Sequence, residues 1–277
     1  MTSVSSQPIV RSLRVPDGRL HYEVRGHGPL VALVGAPMDA AAFAPLADLL
    51  AAGHTVLTTD PRGINRSPLD DPGRESTPEL RAGDLSRLID ELDAGPAIVL
   101  GSSGGACTVL ALAQAHPGQI RAAIAHEPPL QRLLDDRDEL HAATEDMIDT
   151  YLADDVIGAW GKFMAAAGIV MPQCALEEMF GGDRDPRVVA DERRWFTHEL
   201  RKTSGWEPDL AALRAAGDRI VVGIGRDSAG QLCDRASRVL ADALDLEPVL
   251  FPGGHVGFAD DPDTFAAHLR TVMAGMH

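Results

Sequence analysis

Short apolar runs rich in β-branched residues alternate along this chain with longer stretches whose apolar positions recur every three or four residues. The runs fall at 30–35, 55–60, 97–101, 122–125, 220–224 and 248–251. Most are apolar throughout, the pattern of parallel strands covered on both faces. An earlier pair, 13–15 and 20–24, is joined by Pro16-Asp17-Gly18 and predicts a hairpin. Helical periodicity occupies 40–52, 78–92, 104–116, 230–244 and 262–276. Strand–helix alternation of this kind calls for an α/β fold, a parallel sheet with right-handed crossovers.

One interval breaks the rhythm. From 130 to 216 no run reads as a strand, and helical stretches are separated by loop formers such as Gly181-Gly182. An insertion of this length between two strands predicts a helical lid over a pocket. The expected organisation is a core at 1–129, a lid at 130–216 and the rest of the core at 217–277. Met147, Trp160, Phe163, Met164, Met171, Met179, Phe180, Trp195, Phe196 and Trp206 fall in the lid, including all three tryptophans of the chain. Most are expected to pack it onto the body, and a few to line an apolar pocket.

Charge narrows the partners. The formal net charge is −16 with no basic run, which repels phosphate backbones and anionic membranes. No apolar run reaches bilayer length, and residues 1–14 lack the basic start and apolar stretch of a signal peptide. Cys107, Cys174 and Cys233 show no metal-ligand spacing and read as free thiols of a reducing, cytoplasmic compartment. A monomer and a homodimer both fit this composition.

The candidate chemistry begins at Gly101-Ser102-Ser103-Gly104-Gly105, where an apolar strand runs into a stretch of small residues. This is G-x-S-x-G in a strand–turn–helix setting, with Ser103 at its centre. Such a turn tolerates only small neighbours, and it aims the hydroxyl at a helix N-terminus that favours the negative charge of acyl transfer. Ser102 holds the variable position and is expected to point elsewhere. A serine needs a base to take its proton. Of ten histidines, His255 stands out, because Gly253-Gly254 before it let the backbone carry an imidazole back over the sheet edge.

With these motifs the chain resembles the α/β-hydrolase superfamily along nearly its whole length. Asp60-Pro61-Arg62-Gly63-Ile64-Asn65-Arg66-Ser67 resembles the D-x-R-G-x-G-x-S loop, with Asn65 where glycine is usual. Gly35-Ala36-Pro37 resembles the H-G-x-P oxyanion loop, with Val34 in place of the histidine. Residues 99–135 resemble zearalenone-lactonase-like hydrolases in the Ser-Ser-Gly elbow, Ile120-Arg121, His126-Glu127 before a proline, and Leu133-Leu134-Asp135. The resemblance implies a mostly parallel eight-stranded sheet and the chain order of serine first, histidine last. It also implies an oxyanion hole from the N–H groups of Gly104 and Ala36, Pro37 having none to offer.

The carboxylate partner of His255 has two candidates. Asp227 follows the seventh strand, the usual location in the superfamily, but Ser228 holds the expected position counted from Gly225. Glu127 follows the sixth strand, where lactonase-like relatives carry a glutamate. Pro128-Pro129 after it predict an extended Glu127. Glu127 is the preferred acid. The expected function is hydrolysis of a medium-sized apolar ester or lactone through an acyl-enzyme, of the carboxylesterase or lactonase type. A thioesterase, a C–C bond hydrolase and a non-catalytic binding protein on the same scaffold are the rivals. No metal ligand cluster and no G-x-G-x-x-G spacing is present, so no cofactor is implied.

Overall fold

Strands are formed where the apolar runs predict them. The computed structural model describes residues 7–276 and contains β1 (Ile9–Val15), β2 (Gly18–Arg25), β3 (Leu30–Val34), β4 (Thr55–Thr59), β5 (Ala97–Ser102), β6 (Ile120–His126), β7 (Ile220–Gly225) and β8 (Val249–Phe251). They form one eight-stranded sheet in the order β1-β2-β4-β3-β5-β6-β7-β8. β1–β2 and β2–β4 are antiparallel and every other pair is parallel. The first hairpin turns on Pro16-Asp17, with Val15 opposite Gly18.

Period-two geometry sorts each buried strand between two cores. Ala32, Val34 and Val99 face one layer; Val31, Leu33, Ile98 and Leu100 face the other. The first layer holds α2 (Pro78–Leu92), α3 (Gly104–Ala115) and α10 (Leu232–Ala243). The second holds α1 (Ala44–Leu50) and α12 (Pro262–Ala274), with the short α11 (Gly257–Asp260) beside them. In α2, Ala82, Leu85, Leu88 and Ile89 make the buried stripe, Thr77 caps the amide of Leu80, and Pro78 starts the helix.

Between β6 and β7 the chain inserts α4 (Arg137–Leu152), α5 (Val156–Ala167), α6 (Gln173–Phe180), α7 (Pro186–Arg194), α8 (Leu200–Ser204) and α9 (Leu210–Ala216). A π-helical turn, Trp195–Glu199, joins α7 to α8. Met147, Ile148, Tyr151, Trp195, Phe196 and Leu200 form an apolar cluster of the insertion's own, whereas Trp206 and Leu213 join the sheet's core. No described helix is long and apolar enough to cross a membrane. Residues 1–6, part of the stretch read for a signal segment, and His277 lie outside the described residues.

The order β4-β3-β5 places the site. The chain runs from β3 to β4 on one side, then crosses back to β5 on the other. Loops leaving the carboxyl ends of β3 and β5 therefore diverge and leave a crevice, the switch point where open α/β sheets take their ligands. Ala36 follows β3 and Ser103 follows β5.

Candidate active site

Ser103 sits at φ 57°, ψ −126°, a conformation that side-chain-bearing residues rarely adopt. Its N–H donates to the carbonyl of His126 (3.0 Å), which ties the turn to β6. The flanking glycines are steric necessities. A Cβ at Gly101 would lie 2.2 Å from the carbonyl oxygen of Gly105, and one at Gly105 would lie 2.2 Å from that of Val34. Gly104 heads α3, so its amide is among those without an intrahelical acceptor. The Ala36 loop passes so close that a Cβ on Gly104 would meet the Ala36 carbonyl oxygen at 2.5 Å.

Strand register brings the remaining groups to the same edge. Val34 pairs with Gly101, Ser102 with His126, and His126 with Gly223. Glu127 follows directly and is fully buried. One carboxylate oxygen accepts the N–H of Gly225 (2.8 Å), and the other meets Nδ1 of His255 at 2.5 Å. The backbone of Glu127 is not extended, as its prolines suggest, but left-handed at φ 53°. Its N–H to Gly223 (2.9 Å) and its two carboxylate anchors outweigh the preference set by Pro128. Asp227 is exposed, and its backbone N–H donates to the Gly253 carbonyl (3.1 Å) while no described contact joins its carboxylate to His255.

Burial alone would raise the Glu127 carboxyl; the hydrogen bond and charge of His255 hold it below its ordinary value. Burial alone would lower His255. Cys233 and Glu127 reverse that and bring it to about 10. The Glu127 carboxylate thus stabilises the imidazolium, which is what a base needs while it holds a serine's proton. No hydrogen bond joins Ser103 to His255 among the described residues. Such contacts tighten when substrate is bound.

Ser103, Gly104, Ala36 and His255 open onto one cavity of about 500 Å³. Its other walls come from the insertion, where Met147, Trp160, Phe163, Met179 and Trp195 face inward. Trp160 is held on three sides. It stacks on Phe180 (4.1 Å) and Trp195 (5.1 Å), and its indole N–H donates to Glu192 (2.7 Å). Arg184 grips that carboxylate through two hydrogen bonds of 2.6 and 3.0 Å. Trp206 lies elsewhere, with its indole on Glu79 (2.6 Å).

The departures from the motif loops have structural reasons. Asn65 adopts φ 48°, which asparagine tolerates better than most side chains, and its amide donates to Asp39 (2.7 Å). Asp60 is fully buried and accepts from the Ala40 amide and the Arg66 guanidinium. One residue at the site carried no sequence signal of function. Cys233, second in α10, lines the cavity, and its Sγ lies within 4.8 Å of a ring nitrogen of His255 and a carboxylate oxygen of Glu127. Its position behind β7, at the edge where the parallel strands end, is the only hint the chain order offers. Cys107 by contrast is buried in α3, and burial pushes its thiol up to about 12.

A strained serine on a strand–helix turn, at the switch point of a mostly parallel sheet, defines the class, and the chain belongs to the alpha/beta hydrolase family, whose model matches residues 30–268. Among curated proteins it is 30% identical to the uncharacterized hydrolase YraK of Bacillus subtilis, over 95% of both chains. It is 28% identical to a zearalenone hydrolase of Bionectria ochroleuca, over 93% of this chain and 95% of that one. Among solved structures, E-2-(acetamidomethylene)succinate hydrolase superposes with a TM-score of 0.68 at 19% identity, over 97% of this chain and all of the other.

Proposed function

We propose that this hydrolase cleaves an ester or lactone of a medium-sized apolar substrate through an acyl-enzyme on Ser103. The observation that carries the reading is the Glu127–His255 contact beside a strained Ser103 in one apolar cavity. His255 takes the Ser103 proton as Oγ adds to the carbonyl carbon. The N–H groups of Ala36 and Gly104 hold the oxyanion. His255 then gives the proton to the departing alkoxide, which leaves as the alcohol. A water molecule, deprotonated by the same imidazole, adds to the acyl carbon, and collapse, with the imidazolium returning the proton to Oγ, frees the acid and Ser103. Glu127 stays ionised throughout and fixes the imidazole tautomer.

The ester or lactone assignment draws support from the insertion side of the cavity, where apolar side chains outnumber the polar Gln131, Thr144, Thr203 and Ser204, and from the likeness to a zearalenone hydrolase. The test is mass spectrometry after exposure to a small fluorophosphonate. A single adduct on the Ser103 peptide, absent in Ser103→Ala, establishes an activated serine. Turnover of aryl esters and macrolactones, zearalenone among them, then sorts the substrate class. No adduct, under conditions that label a known esterase, sinks the proposal.

A further inference from the structure

Acyl transfer uses two of the three donor groups that converge at the head of α10. Glu127, His255 and Cys233 each present one ligand-type atom, and these atoms lie within 4.8 Å of one another. Among the described residues this is the grouping of three such side chains, and none of the three is exposed. Nothing in the proposed hydrolysis requires a sulfur at this place.

From that constellation we infer a binding site for a soft divalent cation, of which Zn²⁺ is the representative, that switches the hydrolase off. A thiolate, an imidazole and a carboxylate form a ligand set suited to Zn²⁺ and poorly suited to Mg²⁺ or Ca²⁺, which take oxygen. A tetrahedral shell with bonds of about 2.0–2.3 Å asks each donor to move by only about an ångström. The 2.5 Å Glu127–His255 hydrogen bond opens, and the metal takes the place between them. The other Glu127 oxygen is already held by the Gly225 amide (2.8 Å), so the carboxylate is oriented before any metal arrives. Cys233 and His255 both line the cavity, which is where water would supply a fourth ligand.

Binding releases the Cys233 thiol proton to solvent, because the thiolate is the ligand, and the proton that His255 Nδ1 shares with Glu127 moves to Nε2 or, from an imidazolium that already carries one there, to solvent. Whichever ring nitrogen the metal takes, the imidazole can no longer receive the Ser103 proton. A metal on one nitrogen leaves the other protonated, and a metal on the nitrogen facing Ser103 blocks it outright. The inhibition rests on the hydrolase proposal above, whereas the binding does not.

The test separates the two. Zn²⁺ is titrated by calorimetry into the wild-type chain, Ser103→Ala, Cys233→Ala and Cys233→Ser, each checked for fold by circular dichroism. Co²⁺ is used in parallel, because a thiolate ligand gives it a near-ultraviolet charge-transfer absorption. The expected result is one site shared by wild type and Ser103→Ala and lost in both cysteine variants, together with the absorption band. Zn²⁺ should also suppress aryl-ester turnover in the wild type, reversibly with a chelator, and should not inhibit Cys233→Ala relative to that variant's own rate without metal. Equal Zn²⁺ binding with and without Cys233, or a Co²⁺ complex without the band, overturns the site. Cys233-dependent binding in a chain that turns over no ester supports the site and sinks the hydrolase reading instead.

Discussion

Glu127 and His255 are 128 positions apart in sequence and 2.5 Å apart in space, joined through a carboxylate that also takes the amide of Gly225. If this pair orients the base, Glu127→Gln should lower kcat/KM for an aryl ester by about a thousandfold or more, since the amide favours the wrong tautomer. Asp227→Asn, at an exposed site with no bond to His255, should change it by less than about twofold. Steady-state kinetics on the two variants settles the acid. A large loss in Asp227→Asn with a mild one in Glu127→Gln would reverse the assignment.

His126 sets an acid limit on stability. It is fully buried between Phe251 and Phe265, with Nδ1 on the Ser102 hydroxyl (3.0 Å) and Nε2 without a partner. Burial lowers its pKa from 6.5 to about 4, against a smaller upward pull from Glu127. Between those values the unfolded chain binds a proton that the folded one refuses. Stability is therefore intact above about pH 6.5 and falls as the pH drops, by about 3 kcal/mol near the folded value. Denaturant titrations of wild type and His126→Phe should show this part of the acid slope vanish in the variant. An unchanged slope would show that His126 is not its source.

Arg62 is the third prediction. Its guanidinium is buried, bonds both oxygens of Asp84 (2.7 and 3.1 Å) and both of Asp17 (2.9 and 3.1 Å), and so joins α2 to the first hairpin. Burial pushes Asp84 up despite that partner. Arg62→Met should cost about 3–5 kcal/mol, because a buried carboxylate is left uncompensated, and adding Asp84→Leu should recover part of the loss. Urea unfolding near neutral pH measures both, and a cost below about 1 kcal/mol would mean that water reaches the carboxylates.

Trp160 should govern selectivity by size. Its ring walls the cavity and is clamped by Phe180, Trp195 and Glu192. Trp160→Ala should reduce kcat/KM for bulky apolar esters by about tenfold or more and affect acetyl esters much less. Equal losses on both would point to a collapsed insertion rather than a missing wall.

What could be read from the chain follows from how local each signal is. The serine turn was legible because part of its sterics is local, a Cβ at Gly101 striking the Gly105 carbonyl, so the small residues around Ser103 announce it directly. Whereas β1, exposed over most of its length, was marked only near its turn, the central parallel strands were legible because burial on both faces leaves nearly uniform apolar runs. The left-handed backbone of Glu127 was not, since Gly223 and Gly225 hold it from another strand. Nor was Cys233, whose neighbours at the site come from residues 127 and 255, and a cysteine at a helix start looks the same whether it faces solvent or an imidazole. Among the lid residues, helical spacing could not separate Trp160, which faces the cavity, from Trp206, which joins the sheet's core.

The switch point also has a consequence in time. Ala36, Ser103, Glu127 and His255 meet only after β3 has paired with β5, β5 with β6, β6 with β7, and β7 with β8. Each of these parallel pairings closes a long loop, the slow kind of contact to form. A refolding chain should accordingly regain far-ultraviolet ellipticity well before it regains a reactive serine. Reactivity toward a fluorophosphonate would then work as a clock for the last strand to dock.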